Sequence, residues 1–260
     1  MSETTPGTPA PGRFVWRDLM TTDQDRAEAF STQLFGWTVQ LMPVEGAEPY
    51  RMLHGTHGAF GGITSLDAAH GTPSHWVSYI TVDDVDAATA RAHTLGGRVA
   101  TAPQDIPGVG RFSVIIDPQG AIFAPYVSID WPGGDEPQGE PQIGDAVRNE
   151  LVTVNPDTAG TFYQTVVGWA VGDFASPSGE KYPLFKRGDL QVASVLPKPN
   201  DVPASMWLIY FRVANIEEAR SNVTRLGGMP WGPIIEVPPF GRMAWATDPT
   251  GAAFALHEAP

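Results

Sequence analysis

The chain has no cysteine. Disulfide frameworks, thiolate zinc sites and thiol nucleophiles are therefore excluded. Positive charge is also sparse: 16 Lys and Arg stand against 29 Asp and Glu in 260 residues, a net charge of −13. Nucleic acid and anionic membranes are gripped by clustered cations, so neither is expected as a partner. The acidic excess reads as a solubility feature. No uninterrupted apolar run approaches the roughly 18 residues of a membrane span. The opening MSETTPGTPAPG has neither a basic n-region nor an apolar h-region. It reads as a short disordered leader over residues 1–12 rather than a secretory signal, and a cytoplasmic location is the expectation. Glycine-rich phosphate loops and nucleophile elbows are missing too: no G-x-G-x-x-G opens a helix after a strand, and no Walker loop or G-x-S-x-G occurs.

What is present is a repeat. GRFSVIIDPQGAIFA from Gly110 returns as GRMAWATDPTGAAFA from Gly241, with Gly-Arg, Asp-Pro-x-Gly and Phe-Ala in register. Asp18-Leu19-x-Thr21 recurs as Glu150-Leu151-x-Thr153. Phe30 and Gly36-Trp37 recur as Phe162 and Gly168-Trp169, Trp76-x-x-Tyr79 as Trp207-x-x-Tyr210, and Leu95-Gly96-Gly97 as Leu226-Gly227-Gly228. The offset stays within one residue across a whole half, so the halves are duplicates. Residues 129–146, rich in Pro, Gly and acids, read as the linker between domains at 13–128 and 147–260.

Each half repeats within itself. Phe14 to Thr21 alternates like a strand, and a helix over 23–35 shows Ala27, Phe30 and Leu34 on one face and stops at Gly36. Strands are expected at 37–42, 50–54 and 59–65. The pattern restarts with a strand at 76–82, a helix over 85–95 capped by Asp84, and strands near 98–99, 112–116 and 121–127. The fold class is thus α+β, built from four βαβββ modules.

Four such modules, with F-x(5)-G-W after the first helix of each half and D-P-x-G before each last strand, resemble the vicinal oxygen chelate superfamily. This is the glyoxalase, bleomycin-resistance and extradiol-dioxygenase group, and the likeness is greatest to its two-domain actinobacterial glyoxalase-like proteins. The resemblance implies modules paired into two domains, each with a cup-shaped mixed sheet. It also implies, in metal-dependent members, a divalent ion held by His, Glu or Gln from the first and a late strand of each module. Those positions fall here at Trp16, Gly62, Val77 and Ala124, and at Arg148, Ala193 or a neighbour, Leu208 and Ala255. None offers a donor set of three or four N or O atoms, so no metal and no other cofactor is expected.

Strand alternation names the side chains sharing a face with those positions. In the first half they include Trp16, Asp18, Met20, His75, Tyr79 and Tyr126. In the second they include Arg148, Glu150, Tyr210, Arg212 and His257. The opposite faces, with Leu19, Ile80, Leu151, Ile209 and Phe211, are uniformly apolar. Asp18 and Glu150 are the candidate catalytic carboxylates, as general bases or ligand acceptors whose pKa a dry cup would raise. An ion pair of Glu150 with Arg148 or Arg212 is the structural alternative. Tyr79 and Tyr210 are candidate phenolic donors, and Trp16 a stacking wall or a plug. His75 is a rim or core residue as readily as a site residue, and His54-Gly-Thr-His57 reads as a turn. Arg111 and Arg242 read as salt bridges pinning their hairpins.

The first functional reading is a metal-independent binder of a small organic molecule, sequestering it or moving a proton on it. A divalent-metal lyase, isomerase or dioxygenase is the alternative, and a duplicated scaffold acting through protein contacts is the second. The partner expected is a small organic molecule, and a homodimer is compatible with the sequence.

Overall fold

The computed structural model describes residues 11–44, 46, 48–66, 71–129, 139–175 and 181–260. Residues 1–10 of the expected leader and 130–138 of the expected linker lie outside them.

The four modules are present. The first comprises β1 (Phe14–Thr21), α1 (Gln24–Phe35), β2 (Thr38–Met42), β3 (Tyr50–Gly55) and β4 (Gly58–Ser65). The second comprises β5 (His75–Thr81), α2 (Val85–Thr94), β6 (Arg98–Ile106), β7 (Gly110–Ile116) and β8 (Ile122–Ser128). The third has β9 (Ala146–Thr153), α3 (Pro156–Val167), β10 (Ala170–Ala175), β11 (Lys181–Arg187) and β12 (Leu190–Pro197). The fourth has β13 (Met206–Arg212), α4 (Ile216–Arg225), β14 (Met229–Val237), β15 (Gly241–Thr247) and β16 (Ala253–Glu258). The strands form two eight-stranded sheets, ordered β2-β3-β4-β1-β5-β8-β7-β6 and β10-β11-β12-β9-β13-β16-β15-β14. Both are mixed: β1–β4, β5–β8, β9–β12 and β13–β16 pair in parallel and the hairpins antiparallel. The α+β fold of duplicated βαβββ modules is therefore as expected from the repeat.

Local chemistry explains the boundaries. Each helix opens on an Asp or Asn whose side chain accepts from a backbone N–H in the first turn: Asp23, Asp84, Asn155 and Asn215. Each D-P-x-G turn is closed by its Asp: Asp117 Oδ1 accepts from the N–H groups of Gln119 and Ala121, and Asp248 Oδ1 from those of Thr250 and Ala252. The one large boundary difference is β6, which runs nine residues where two were expected. Its Pro103 and polar residues suit a sheet edge, where ladder hydrogen bonds are made on one side alone.

The chain divides into two compact units. One comprises the described residues within 1–16, 78–136 and 150–207; the other comprises those within 17–77, 137–149 and 208–260. The first unit is built on Phe14, Ile80 and Phe123 with Phe162, Tyr163, Trp169, Phe185 and Trp207. The second unit's core gathers Leu19, Phe30, Phe35, Trp37 and Ile63 with Ile209, Phe211, Val223, Phe254 and Leu256.

Each G-W tryptophan anchors a distant glycine of its own unit. The Trp169 indole donates to the Gly12 carbonyl at 2.9 Å, and the Trp37 indole to the Gly144 carbonyl at 3.0 Å. Both glycines take positive φ, 83° and 88°, and a Cβ on either would sit 2.7 Å from the indole nitrogen. Gly12 therefore belongs to the fold rather than to a leader. Gly144 and Asp145 likewise pair with Arg212 through their backbones instead of acting as spacer.

Candidate functional site

In the second unit, β13, β15 and β16 send Ile209, Phe211, Ala244, Ala246, Phe254 and Leu256 into the core beside α4. Their alternates face away from the helices in two cross-strand rows. The first row runs Tyr210, Ala255, Trp245, Trp231, and the second Arg212, His257, Met243, Ile235. Ala255 is small enough for Trp245 to reach over it, and the Trp245 indole donates to the Tyr210 hydroxyl at 3.0 Å. The Trp231 and Trp245 rings meet edge-on at 5.7 Å. Arg148, from β9, lies with its guanidinium carbon 5.2 Å from the Phe240 ring centre and 5.9 Å from that of Tyr210.

His257 sits among these groups. Its Nε2 is 2.6 Å from the Phe240 carbonyl, so that nitrogen carries the proton, and Nδ1 is buried without a hydrogen-bond partner. Burial pushes its pKa down first, and the positive charges of Arg212 and Arg148 push the same way against the Phe240 carbonyl. The imidazole is therefore neutral at physiological pH. Arg148, Tyr210, Arg212 and His257 are four of the residues expected to share a cup face, and the fold brings them together.

Elsewhere in this unit, Asp18 is buried and accepts a 2.6 Å hydrogen bond from the Tyr50 hydroxyl. Gly62, opposite Asp18 in the β1–β4 ladder, makes room for that ring. Met20 lies two residues further along β1, half-buried. His75 begins β5, its Nδ1 2.8 Å from the Pro73 carbonyl, and burial lowers its pKa. His57 Nε2 is 3.3 Å from the Asp145 carboxylate, so the His54–His57 turn makes a polar contact with the residue just before β9.

The first unit holds the remaining candidates. Trp16 is half-buried on β1. Tyr79 packs against Phe112 and Tyr126, with ring centres 5.8 and 6.0 Å away. Tyr126 donates its hydroxyl to the Val109 carbonyl at 3.0 Å, and burial raises its pKa. Val109 and Phe240 are duplicates, so Tyr126 and His257 make the same contact in their respective modules. Glu150 is buried and accepts from the Ser194 hydroxyl at 2.7 Å.

Several of these partners were not expected: Tyr50, Ser194, Trp231, Phe240 and Trp245. Alternation along Tyr50–His54 and along GRMAWAT carries the signal for Tyr50 and Trp245, whereas Ser194 requires the β9–β12 register. That register pairs Ser194 with Glu150 and leaves Ala193 in the core, so the late-strand position of the third module is Ser194 and not Ala193. Arg111 and Arg242 do make salt bridges, and each reaches a helix as well as its sheet: Arg111 binds Asp86 and Asp105, and Arg242 binds Glu217 and Glu258.

Comparison with known proteins decides the family. A family model described as Glyoxalase/Bleomycin resistance protein/Dioxygenase superfamily matches residues 13–124. A Mycobacterium tuberculosis protein named "Putative glyoxylase CFP32" is 33% identical over 93% of this chain and 92% of its own. The chain belongs to the glyoxalase/bleomycin resistance/dioxygenase superfamily. A second relative, the anthracycline biosynthesis protein DnrV of Streptomyces peucetius, is 32% identical over 96% of this chain and 94% of its own. Among solved structures, a Mn(II)-bound glyoxalase from Novosphingobium aromaticivorans shares the fold. It has a TM-score of 0.63 and 16% identity, covering 95% of this chain and 82% of that one.

The metal that the superfamily resemblance implies does not fit these residues. The ligand positions carry Trp16, Gly62, Val77 and Ala124 in the first half, and Arg148, Ser194, Leu208 and Ala255 in the second. Indole, hydrocarbon and guanidinium groups cannot coordinate a cation, and one serine hydroxyl is not a donor set. Among the described residues, no three His, Asp or Glu group to hold an ion. No helix among them is long and apolar enough to cross a membrane.

Proposed function

We propose that the chain binds a small organic molecule on the helix-free face of the fourth module without a resident metal. The supporting observation is the replacement at the superfamily's ligand positions. Ala255 is bridged by the Trp245–Tyr210 hydrogen bond, and Arg148 lies over the Tyr210 and Phe240 rings. An aromatic surface beside guanidinium groups recognises an organic guest by stacking and directed hydrogen bonds. Asp18 and Glu150, on the first and third modules, are the candidate bases for simple proton transfer within their own modules, each oriented by a hydroxyl donor.

The test is metal analysis of untagged, purified protein together with thermal-shift screening of planar organic molecules, with and without chelator. The naming of one relative for anthracycline biosynthesis makes aromatic polycycles suitable probes. Stabilisation that follows RT ln(1 + [L]/Kd) and survives the chelator is the expected result. About one tightly bound Fe, Mn, Ni or Zn per chain, with stabilisation lost on chelation, would overturn it.

A further inference from the structure

Because the modules are duplicates, the cores of the two units correspond position by position. In the first unit a phenol joins three modules. The Trp207 indole donates to the Tyr163 hydroxyl at 2.9 Å, and that hydroxyl donates to Asp117 Oδ2 at 3.1 Å. All three residues are buried, so one hydroxyl satisfies a donor and an acceptor that lie away from solvent.

The repeat places Trp76, Ser31 and Asp248 at the same three positions of the second unit. Both ends keep the pose of their counterparts. Asp248 Oδ1 accepts from the N–H groups of Thr250 and Ala252, as Asp117 Oδ1 does from those of Gln119 and Ala121. Trp76 meets Trp37 edge-on at 6.4 Å, as Trp207 meets Trp169 at 5.9 Å. The middle group differs. Ser31 turns its hydroxyl back to the Ala27 carbonyl of its own helix. Phe35, one turn further along α1, stacks on Trp37 at 4.5 Å as Tyr163 stacks on Trp169 at 5.9 Å, and it carries no hydroxyl. Trp76 Nε1 and Asp248 Oδ2 have no hydrogen-bond partner among the described residues, although Trp76 and Asp248 are 7% and 5% exposed.

An indole N–H can only donate, and a carboxylate oxygen accepts. Leaving both unmade in a core is costly, so the pair calls for a group that accepts from one and donates to the other. Side-chain volume allows a small one. Ser31 and Phe35 together carry fewer side-chain atoms than Tyr163 and Val167, and Leu53 replaces the Phe185 ring that packs on Tyr163. Phe211 in place of Ile80 returns part of that volume. We infer that the second unit binds one structural water between Trp76 and Asp248, which accepts from the indole and donates to Asp248 Oδ2 where the first unit uses the Tyr163 hydroxyl. This water ties the D-P-x-G turn of the fourth module to β5 and leaves α1 out of the link, whereas Tyr163 carries α3 into it.

A crystal structure of the untagged full chain, at a resolution that shows ordered waters, tests this directly. The expected result is a single water peak within hydrogen-bond distance of both Trp76 Nε1 and Asp248 Oδ2, with none between Trp207 and Tyr163. A direct indole–carboxylate hydrogen bond, a side-chain atom at that point, or a dry contact there overturns the inference. In solution, the Trp76 indole proton is expected to show cross-relaxation with a long-lived water in nuclear magnetic resonance spectra of the native chain. Trp76→Phe identifies that signal by its loss, and a Trp76 indole proton without the water cross-peak overturns the inference equally. Both observations are made on the native protein. Should Trp76→Phe fold poorly, Trp76 is assigned through its backbone and the result still decides. The outcome is independent of any ligand on the helix-free face of the fourth module, so its failure leaves the proposed function standing.

Discussion

Substituting Gly62 by Ala is the sharpest probe of how Asp18 is held. A Cβ at Gly62 would lie 2.0 Å from the Tyr50 hydroxyl and 2.1 Å from its ring carbon Cζ. Tyr50 must then leave its place over β4 and give up the 2.6 Å hydrogen bond to Asp18. A hydrogen bond to a charged group is worth about 1.5–3 kcal/mol. Against it stands the gain of about 0.5–1 kcal/mol from replacing Gly by Ala within a strand. The net expectation is a loss of about 1–2 kcal/mol. In a Tyr50→Ala background the obstruction is gone, and the same Gly62→Ala change should stabilise by about 0.5–1 kcal/mol. The coupling between the two sites is thus about 1.5–3 kcal/mol, read from a double-mutant cycle by urea denaturation. Tyr50→Phe reports the hydroxyl alone. Gly62→Ala with the same cost in both backgrounds would refute the steric account, and stabilisation of the otherwise native chain would refute it equally.

Gly61→Ala should be the more damaging neighbour, because its Cβ would lie 2.1 Å from the Arg17 carbonyl oxygen, a backbone atom that cannot rotate away. A loss of about 3 kcal/mol or more is expected in the same denaturation assay. Tyr163→Phe removes the donor to Asp117 Oδ2 and the acceptor for the Trp207 indole, both inside the first unit's core, and should cost about 2–3 kcal/mol with little change in m-value. Burial raises the Asp117 pKa, so its folded value lies above its unfolded one. The stability this group contributes is full below about pH 4 and lost as pH rises through the folded pKa. Asp117→Asn abolishes that titration, so the native chain's advantage over the variant should shrink between pH 4 and pH 7. An advantage that grows over the same interval would contradict the assigned direction.

How much of this was legible beforehand depended on sequence distance. The repeat of D-P-x-G, the capping residues Asp23, Asp84, Asn155 and Asn215, and the alternation of β1, β5 and β13 are local signals, and each corresponds to an element of the fold. The faces were legible as well, since period-two alternation sorts Arg148, Tyr210, Arg212 and His257 together before any strand is paired. The neighbours across strands were not. That Asp18 meets Tyr50, 32 residues away, and Glu150 meets Ser194, 44 away, depends on register between strands joined by loops of variable length.

The amino-acid sequence by itself therefore determined the modules, their duplication and the side chains barred from the helix side, because these follow from backbone geometry and apolar periodicity within a dozen residues. Tertiary structure alone decided that Trp37 would close on Gly144 and Trp169 on Gly12, and that Trp245 would reach across Ala255 to Tyr210. Those contacts exist only where strands and core lie packed at fixed separations, and a chain still unfolded holds no record of such distances.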